Sequence, residues 1–295
     1  MVPVSIHPEG AASMLSDADL QDLARARQWL EQPPLIVRMT DLIGSPIERG
    51  IEMLPAGWQD RIGQITLTSL QTSLGWAIRT LDAPSGPARD ATPRWHKAAA
   101  ALSGGLGGAF GLPALAVELP VSTTVILRSI ADIARAHGED LSDPQVRMEC
   151  ISMFSMGSPS PADDAAESGY FAMRMALASA VSEAAKYAAS AVGGNVLAAN
   201  APALIRLITQ VAARFKIQVS HKAAAQAVPL LGAAGGALIN TLFIDHFQTV
   251  SRGHFTVRRL ERAYGEDAVR LAWQQLASAP MVLSGTRPLK IGDSQ

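Results

Sequence analysis

The stretch WQDRIGQITLTSLQTSLGWAIRTL, residues 58–81, decides the fold class. Its apolar positions Leu67, Leu70, Leu74, Ile78 and Leu81 recur at spacings of three and four. That is the stripe one face of an amphipathic helix presents, whereas a half-buried strand alternates every second residue. Leu204, Ile208, Val211, Phe215 and Val219 repeat the pattern, and no long run with a period of two competes with it. Aromatics make up only 5% of the 295 residues, so small side chains carry most of the 48% apolar content. Alanine-rich runs favour helix, and small residues let helices approach closely. The expected class is all-α, a bundle of about ten helices.

Working outward, punctuation sets the boundaries. Ser16 and Asp19 form a capping-box-like start for a helix through Gln32, which Pro33-Pro34 stops. A short helix is expected over 35–43. Ser45-Pro46 opens another that ends near Leu54-Pro55. The segment 83–93 is a loop rich in proline and small polar residues. A long helix is expected to reach His137 with Gly138 as its cap, and Asp143-Pro144 starts the next. GSPSPADD (157–164) breaks the chain, helix resumes over 165–191, and further helices run to about residue 278. Residues 1–15 are expected to be a disordered lead-in, 16–280 a single helical domain, and 281–295 a flexible tail.

Several function classes drop out. A net charge of −1 gives no global field to recruit nucleic acid. Cys150 is the single cysteine, so neither a disulfide within the chain nor a cysteine-based zinc site can form. There is no GxxxxGK[ST], GxSxG, HExxH or CxxC. GGLGGAFG (104–111) fails as a dinucleotide loop because alanine-rich helix, not a strand, precedes it. No cofactor is called for. The N-terminus lacks a basic segment followed by an apolar run, so a cytoplasmic protein is expected.

The hexapeptide RAHGED (135–140) recurs as RAYGED (262–267), an offset of 262 − 135 = 127. At that offset Gly105 falls on Gly232, Gly108 on Gly235 and Glu118 on Asp245. Two related halves arising by internal duplication are one explanation. The frequency with which helices end in glycine and a polar turn is the other.

The segments LPALAVELPVSTTVILRSIADIARAHGED (112–140) and VPLLGAAGGALINTLFIDHF (228–247) carry a family resemblance. VRMECISMF (146–154) lies between them and FTVRRLERAYGED (255–267) follows. Together, over roughly residues 35–280, the chain resembles the EcsC family. The shared pattern is one of glycine, proline and helix-end positions, so the resemblance implies no catalytic motif. It implies work at or near a membrane, since the family's founding member shares its name and gene neighbourhood with an ABC-transporter system.

Two uncharged stretches, Ala98–Val117 and Ala223–Ile244, are long enough to cross a hydrocarbon layer of roughly 30 Å. Gly104 and Gly108, and Gly232 and Gly236, each lie four apart and so share a helix face suited to tight packing. That packing serves a buried core or a membrane contact equally. Eight basic residues between 206 and 262 (Arg206, Arg214, Lys216, Lys222, Arg252, Arg258, Arg259 and Arg262) face only Asp245 and Glu261 as acids. Such a strip is either a solvated helix face or a surface for anionic lipid headgroups or a membrane-protein partner such as an ABC-type transporter. Glu118 and Asp245, bordered by apolar residues, each need a partner, water or a proton. They are either structural ion pairs with Arg128, Arg135 or the strip, or, with His246, a shared carboxylate site for acid–base or metal chemistry. His137, His221 and His254 have no metal-ligand spacing. Three readings stand: an accessory factor peripheral to the inner face of the cell membrane, a soluble enzyme built on Glu118, Asp245 and His246, or a helper that only binds proteins.

Overall fold

The computed structural model describes residues 15–44, 50–52, 54–80, 112–156, 169–190, 201–227 and 232–278. Every regular element among them is helical. In chain order these are α1 (Asp17–Leu30), α2 (Leu35–Ile43), α3 (Trp58–Thr80), α4 (Leu115–Ala136), α5 (Pro144–Ser152), α6 (Gly169–Ser190), α7 (Pro202–Ala227), α8 (Gly232–Tyr264) and α9 (Glu266–Ser278). Single 3₁₀ turns, Leu112–Ala114 and Met153–Ser155, precede α4 and follow α5. The lead-in before residue 15, the 83–93 loop, the 157–164 break, Gly104, Gly108 and the 281–295 tail lie outside the described residues.

The caps work as the local chemistry requires. The Ser16 hydroxyl accepts from Asp19 N at 3.2 Å and starts α1. Asp143 accepts from Gln145 N at 2.8 Å and, with Pro144 in the first turn, starts α5. At the end of α4, Glu139 N donates to Ala134 O and Gly138 N to Arg135 O. This pair closes the helix, and it requires the left-handed backbone that Gly138 supplies (φ 80°). Gly265 does the same after α8 (φ 87°), but with the single bond of Gly265 N to Glu261 O. The two RA-x-GED motifs therefore share a turn and differ in how they close it. That likeness does not establish a duplication.

α8 is the axis of the bundle. Its 33 residues span about 50 Å and pack against α1, α2, α4, α7 and α9. α3 lies on α4 and α7, while α6 joins α5 to α7. The α7 stripe read from the sequence is buried throughout, as are Leu70 and Leu74 of α3. Phe154, Phe215 and Phe247 meet with ring centroids 5.0–5.8 Å apart, and Phe243 adds a fourth ring. Burial of such rings stabilises by about 2–3 kcal/mol each, so this cluster ties α7 and α8 to the 3₁₀ turn after α5. A second cluster, Tyr170, Phe171 and Trp273, joins α6 to α9. Gly253 allows α1 to approach α8 closely: a Cβ there would lie 2.7 Å from Leu30 Cγ and 3.0 Å from Ala26 O.

Leu112–Ala136 is one described segment long and apolar enough to cross a membrane, yet 56% of its most apolar window is buried inside the bundle. Its Pro120 sits within the helix, and Thr124 Oγ1 donates to the Pro120 carbonyl at 2.8 Å. Gly236 is buried within α8, and Gly232 is the first residue of that helix.

Candidate functional site

On α8 the residues His254, Arg258 and Glu261 stand at i, i+4 and i+7, so the helical period sets them on one face. Tyr170 and Arg174 do the same on α6 at i and i+4. α5 contributes Glu149, and the turn after α4 contributes Glu139. These side chains form a continuous polar network in the bundle. Arg174 grips Glu261 with two hydrogen bonds, Nη1 to Oε1 at 2.7 Å and Nη2 to Oε2 at 3.0 Å. It also reaches Tyr170 Oη at 3.4 Å, and the Tyr170 hydroxyl lies 3.0 Å from His254 Nδ1. Arg258 donates to Glu139 at 2.8 Å and to Glu149 Oε1 at 2.7 Å. Arg262 adds bonds to Glu139 and to the His137 carbonyl.

Beside this network opens a cavity of about 270 Å³, walled by α5, α6, α8 and α9. Small-molecule sites typically enclose about 300–1,000 Å³, so this one suits a small ligand. His254 and Glu149 line its inner wall, Phe171, Met175 and Leu177 supply apolar surface, and Glu266, Asp267 and Arg270 stand on α9. His254 is 2% exposed, yet its Nε2 has no hydrogen-bond partner. The nearest acid is Glu149 Oε2 at 3.7 Å, beyond hydrogen-bond length. Glu149 Oε1 takes the bonds of Arg258 and Gln145. Arg258 Nη1 also lies 2.6 Å from Oε2, so both carboxylate oxygens sit against the guanidinium.

The environment sets the charge states. Burial drives the His254 pKa down, Arg174 and Arg258 push the same way, and Glu149 opposes them only in part; the imidazole is neutral. Burial also penalises the Glu149 carboxylate, but His254, Arg258 and Gln145 outweigh it and hold its pKa below the ordinary value. Tyr170 is driven up by burial first, so its hydroxyl keeps its proton. Because that oxygen accepts from Arg174, the hydroxyl hydrogen is free to go to His254 Nδ1. This choice leaves the single N–H of the neutral imidazole on Nε2, directed at the Glu149 carboxylate 3.7 Å away.

The residues singled out from the sequence lie elsewhere. Glu118 of α4 is buried and pairs with Lys222 of α7, Nζ to Oε2 at 2.7 Å. Asn240 of α8 donates to the other oxygen at 2.6 Å, and Lys222 Nζ lies 5.2 Å from the Phe243 ring centre. Asp245 follows Asn240 by five residues, about 140° further round α8, so its Cα faces away from that pair. His246 is buried with Nε2 3.3 Å from the Met156 carbonyl, which also accepts from Gln218. No group of three or more His, Cys, Asp or Glu side chains is placed to hold a metal among the described residues.

The basic strip is dispersed. Lys222, 1% exposed, is inside the bundle and not on a surface. Arg258 and Arg262 belong to the network above, and Arg259 binds Asp19 at 3.1 Å and Asp22 at 2.8 Å on α1. Arg206 is exposed and bonded to Glu183 at 2.6 Å, while Arg214 sits against the Met173 sulfur. Lys216 and Arg252 are half-buried. Sequence reading missed the His254–Arg258–Glu261 face, although its i, i+4, i+7 spacing was the available signal.

A family model described as the EcsC protein family matches residues 55–260. No curated protein and no solved structure matches the chain. The matched span covers α3 through most of α8 and includes Glu149, Tyr170, Arg174, His254 and Arg258, whereas the α9 wall of the cavity lies beyond it.

Proposed function

The chain belongs to the EcsC family, and from that premise we propose that this helical protein receives a small polar ligand in the cavity between α5, α6, α8 and α9. The observation that carries the reading is the cavity itself, in which His254 and Glu149 share the wall with the apolar side chains of Phe171, Met175 and Leu177. A concave site of this kind, apolar with a few converging polar groups, is where small ligands bind. A library of small polar molecules, screened by thermal shift and by the NMR signals of the His254 ring, tests this. Ligands that move those signals should be lost in Ala178→Trp, which places an indole at an exposed position on the cavity rim. Hits indifferent to that substitution, or no hit at all, would sink the reading.

A second reading, an accessory factor peripheral to a membrane or to a membrane-protein partner, draws on one specific observation. Val117 and Val121, one turn apart at the start of α4, are 74% and 50% exposed. Apolar side chains presented one turn apart suit shallow contact with lipid or with a partner helix. Flotation with anionic and neutral vesicles separates the two readings. Binding abolished by Val117→Asp with Val121→Asp supports the membrane role, and no flotation in either lipid removes it.

A further inference from the structure

We infer that Met175 is a reversible oxidation site whose sulfoxide is held by Arg270, joining α6 to α9 across the cavity. The site needs no ligand in the cavity and goes beyond that reading. Exposure singles this sulfur out. Met39, Met148, Met153, Met156 and Met173 are each 6% exposed or less, whereas Met175 is 63% exposed. Methionine is at home in a core, and one standing in water leaves its thioether open to soluble oxidants. Met175 of α6 and Arg270 of α9 line the same cavity. The guanidinium already lies across α6. Its Nη2 is 3.5 Å from the Met175 sulfur, and its Cζ is 5.4 Å from the ring centre of Phe171, one turn earlier on that helix. A thioether sulfur is only a weak acceptor, so this contact holds the two helices loosely.

Hydrogen peroxide is the oxidant. A lone pair of the Met175 sulfur attacks one peroxide oxygen and the O–O bond breaks. The displaced hydroxide takes the proton from the transferred oxygen and leaves as water. The thioether is oxidised by two electrons and the peroxide reduced by two, which gives the sulfoxide and one water. The new oxygen stands one bond from the sulfur that Arg270 already touches. A charged donor then faces a true oxygen acceptor, and the N–H···S contact gives way to a charge-assisted hydrogen bond. Arg174, the other guanidinium on this lining, is committed to Glu261 through both terminal nitrogens, so Arg270 is the donor at hand. Little apolar burial is lost, because most of the Met175 side chain is already in water. α6 and α9 meet through Tyr170, Phe171 and Trp273, so the added bond reinforces a packed interface and narrows the cavity between the two helices.

Full-length protein treated with hydrogen peroxide, then followed by peptide mass spectrometry and amide hydrogen exchange, tests the site and the clamp. Met175 should be converted while Met39, Met148, Met153, Met156 and Met173 stay reduced. Exchange in α9 should slow about tenfold, the lower end of what a hydrogen bond to a charged group contributes. Methionine sulfoxide reductases, one for each epimer, should restore the original rate. Peroxide should leave α9 exchange unchanged in Met175→Leu, which has no sulfur there, and in Arg270→Leu, which cannot donate. Each protein is compared with itself before and after treatment, so any loosening caused by the substitution cancels. Met175→Gln, which places an amide oxygen there without an oxidant, should exchange more slowly in α9 than Met175→Leu. Conversion of the buried methionines as fast as Met175 would overturn the site. Unchanged or faster α9 exchange after oxidation, or slowing that persists in Arg270→Leu, would overturn the clamp.

Discussion

Replacing Lys222 by methionine keeps the length of the side chain and removes its charge. In the parent, the ammonium sits 2.7 Å from Glu118 Oε2 and 2.9 Å from Oε1, with both side chains almost wholly out of water. Methionine fills the volume and can still lie against Phe243. The Glu118 carboxylate, however, is left with Asn240 as its remaining named partner. Breaking a buried pair by removing one partner costs about 3–5 kcal/mol, equivalent here to a fall in Tm of roughly 6–20 °C. Removing both charges, as in Glu118→Leu with Lys222→Met, should restore most of that loss, because neither charge then needs a partner. Urea melts of the two single variants and the double complete the cycle. A Lys222→Met protein that melts within about 2 °C of the parent, or a double variant no better than the worse single, would refute the assignment of Glu118 to a structural ion pair. It would also return Glu118 to the list of groups available for chemistry.

Three further outcomes are expected. Gly253→Ala should destabilise despite the better helix propensity of alanine, because its Cβ falls 2.7 Å from Leu30 Cγ, whereas Gly63→Ala, whose nearest neighbour is Lys216 at 3.6 Å, should stabilise by up to about 1 kcal/mol; opposite signs in paired thermal melts are the check. His246 is pushed by burial from 6.5 to about 4 in the folded chain, so the unfolded chain binds the extra proton first. The stabilisation is present above pH 6.5 and is lost as pH falls toward 4, roughly 3 kcal/mol in all, and His246→Gln should flatten that part of the stability–pH curve. Cys150 is fully buried, and burial pushes its thiol pKa up, so native protein should resist thiol reagents that label it at once in urea; rapid labelling without denaturant would contradict the packing of α5.

Helix positions were legible from the sequence because their signals are local. Ser16 with Asp19, Asp143 with Pro144, and Gly138 each fix a helix end through atoms within a few residues. The α7 stripe needed only its own periodicity. The polar network was not legible in the same way. Its contacts join residues 84, 87 and 109 positions apart (Tyr170 to His254, Arg174 to Glu261, Glu149 to Arg258), and no local rule says which helices meet. The basic strip misled for a related reason. Counting charge along 206–262 credits no partners from distant segments, yet Arg259 finds Asp19 and Asp22 on α1, and Arg258 finds Glu139. Glu118 was rightly singled out as a carboxylate in apolar company, and Lys222, counted within the strip, supplies its cation. The repeat-based idea of Glu118 and Asp245 converging assumed equivalent halves, and those residues lie on helices with different partners.

The docking of α1 on α8 has a practical meaning for how this protein is cut. Leu23 and Ala26 of α1 are fully buried, Gly253 brings the two backbones together, and Arg259 and Tyr264 latch onto Asp19 and Asp22. At the other end, Trp273 and Val269 of α9 are equally sealed. Both helices fall outside the span 55–260 shared with the family. The flanks thus behave as a clasp around the shared segment, and a fragment trimmed to that segment would bare two greasy grooves along its longest helix. Excision at the family boundary should therefore give an insoluble product.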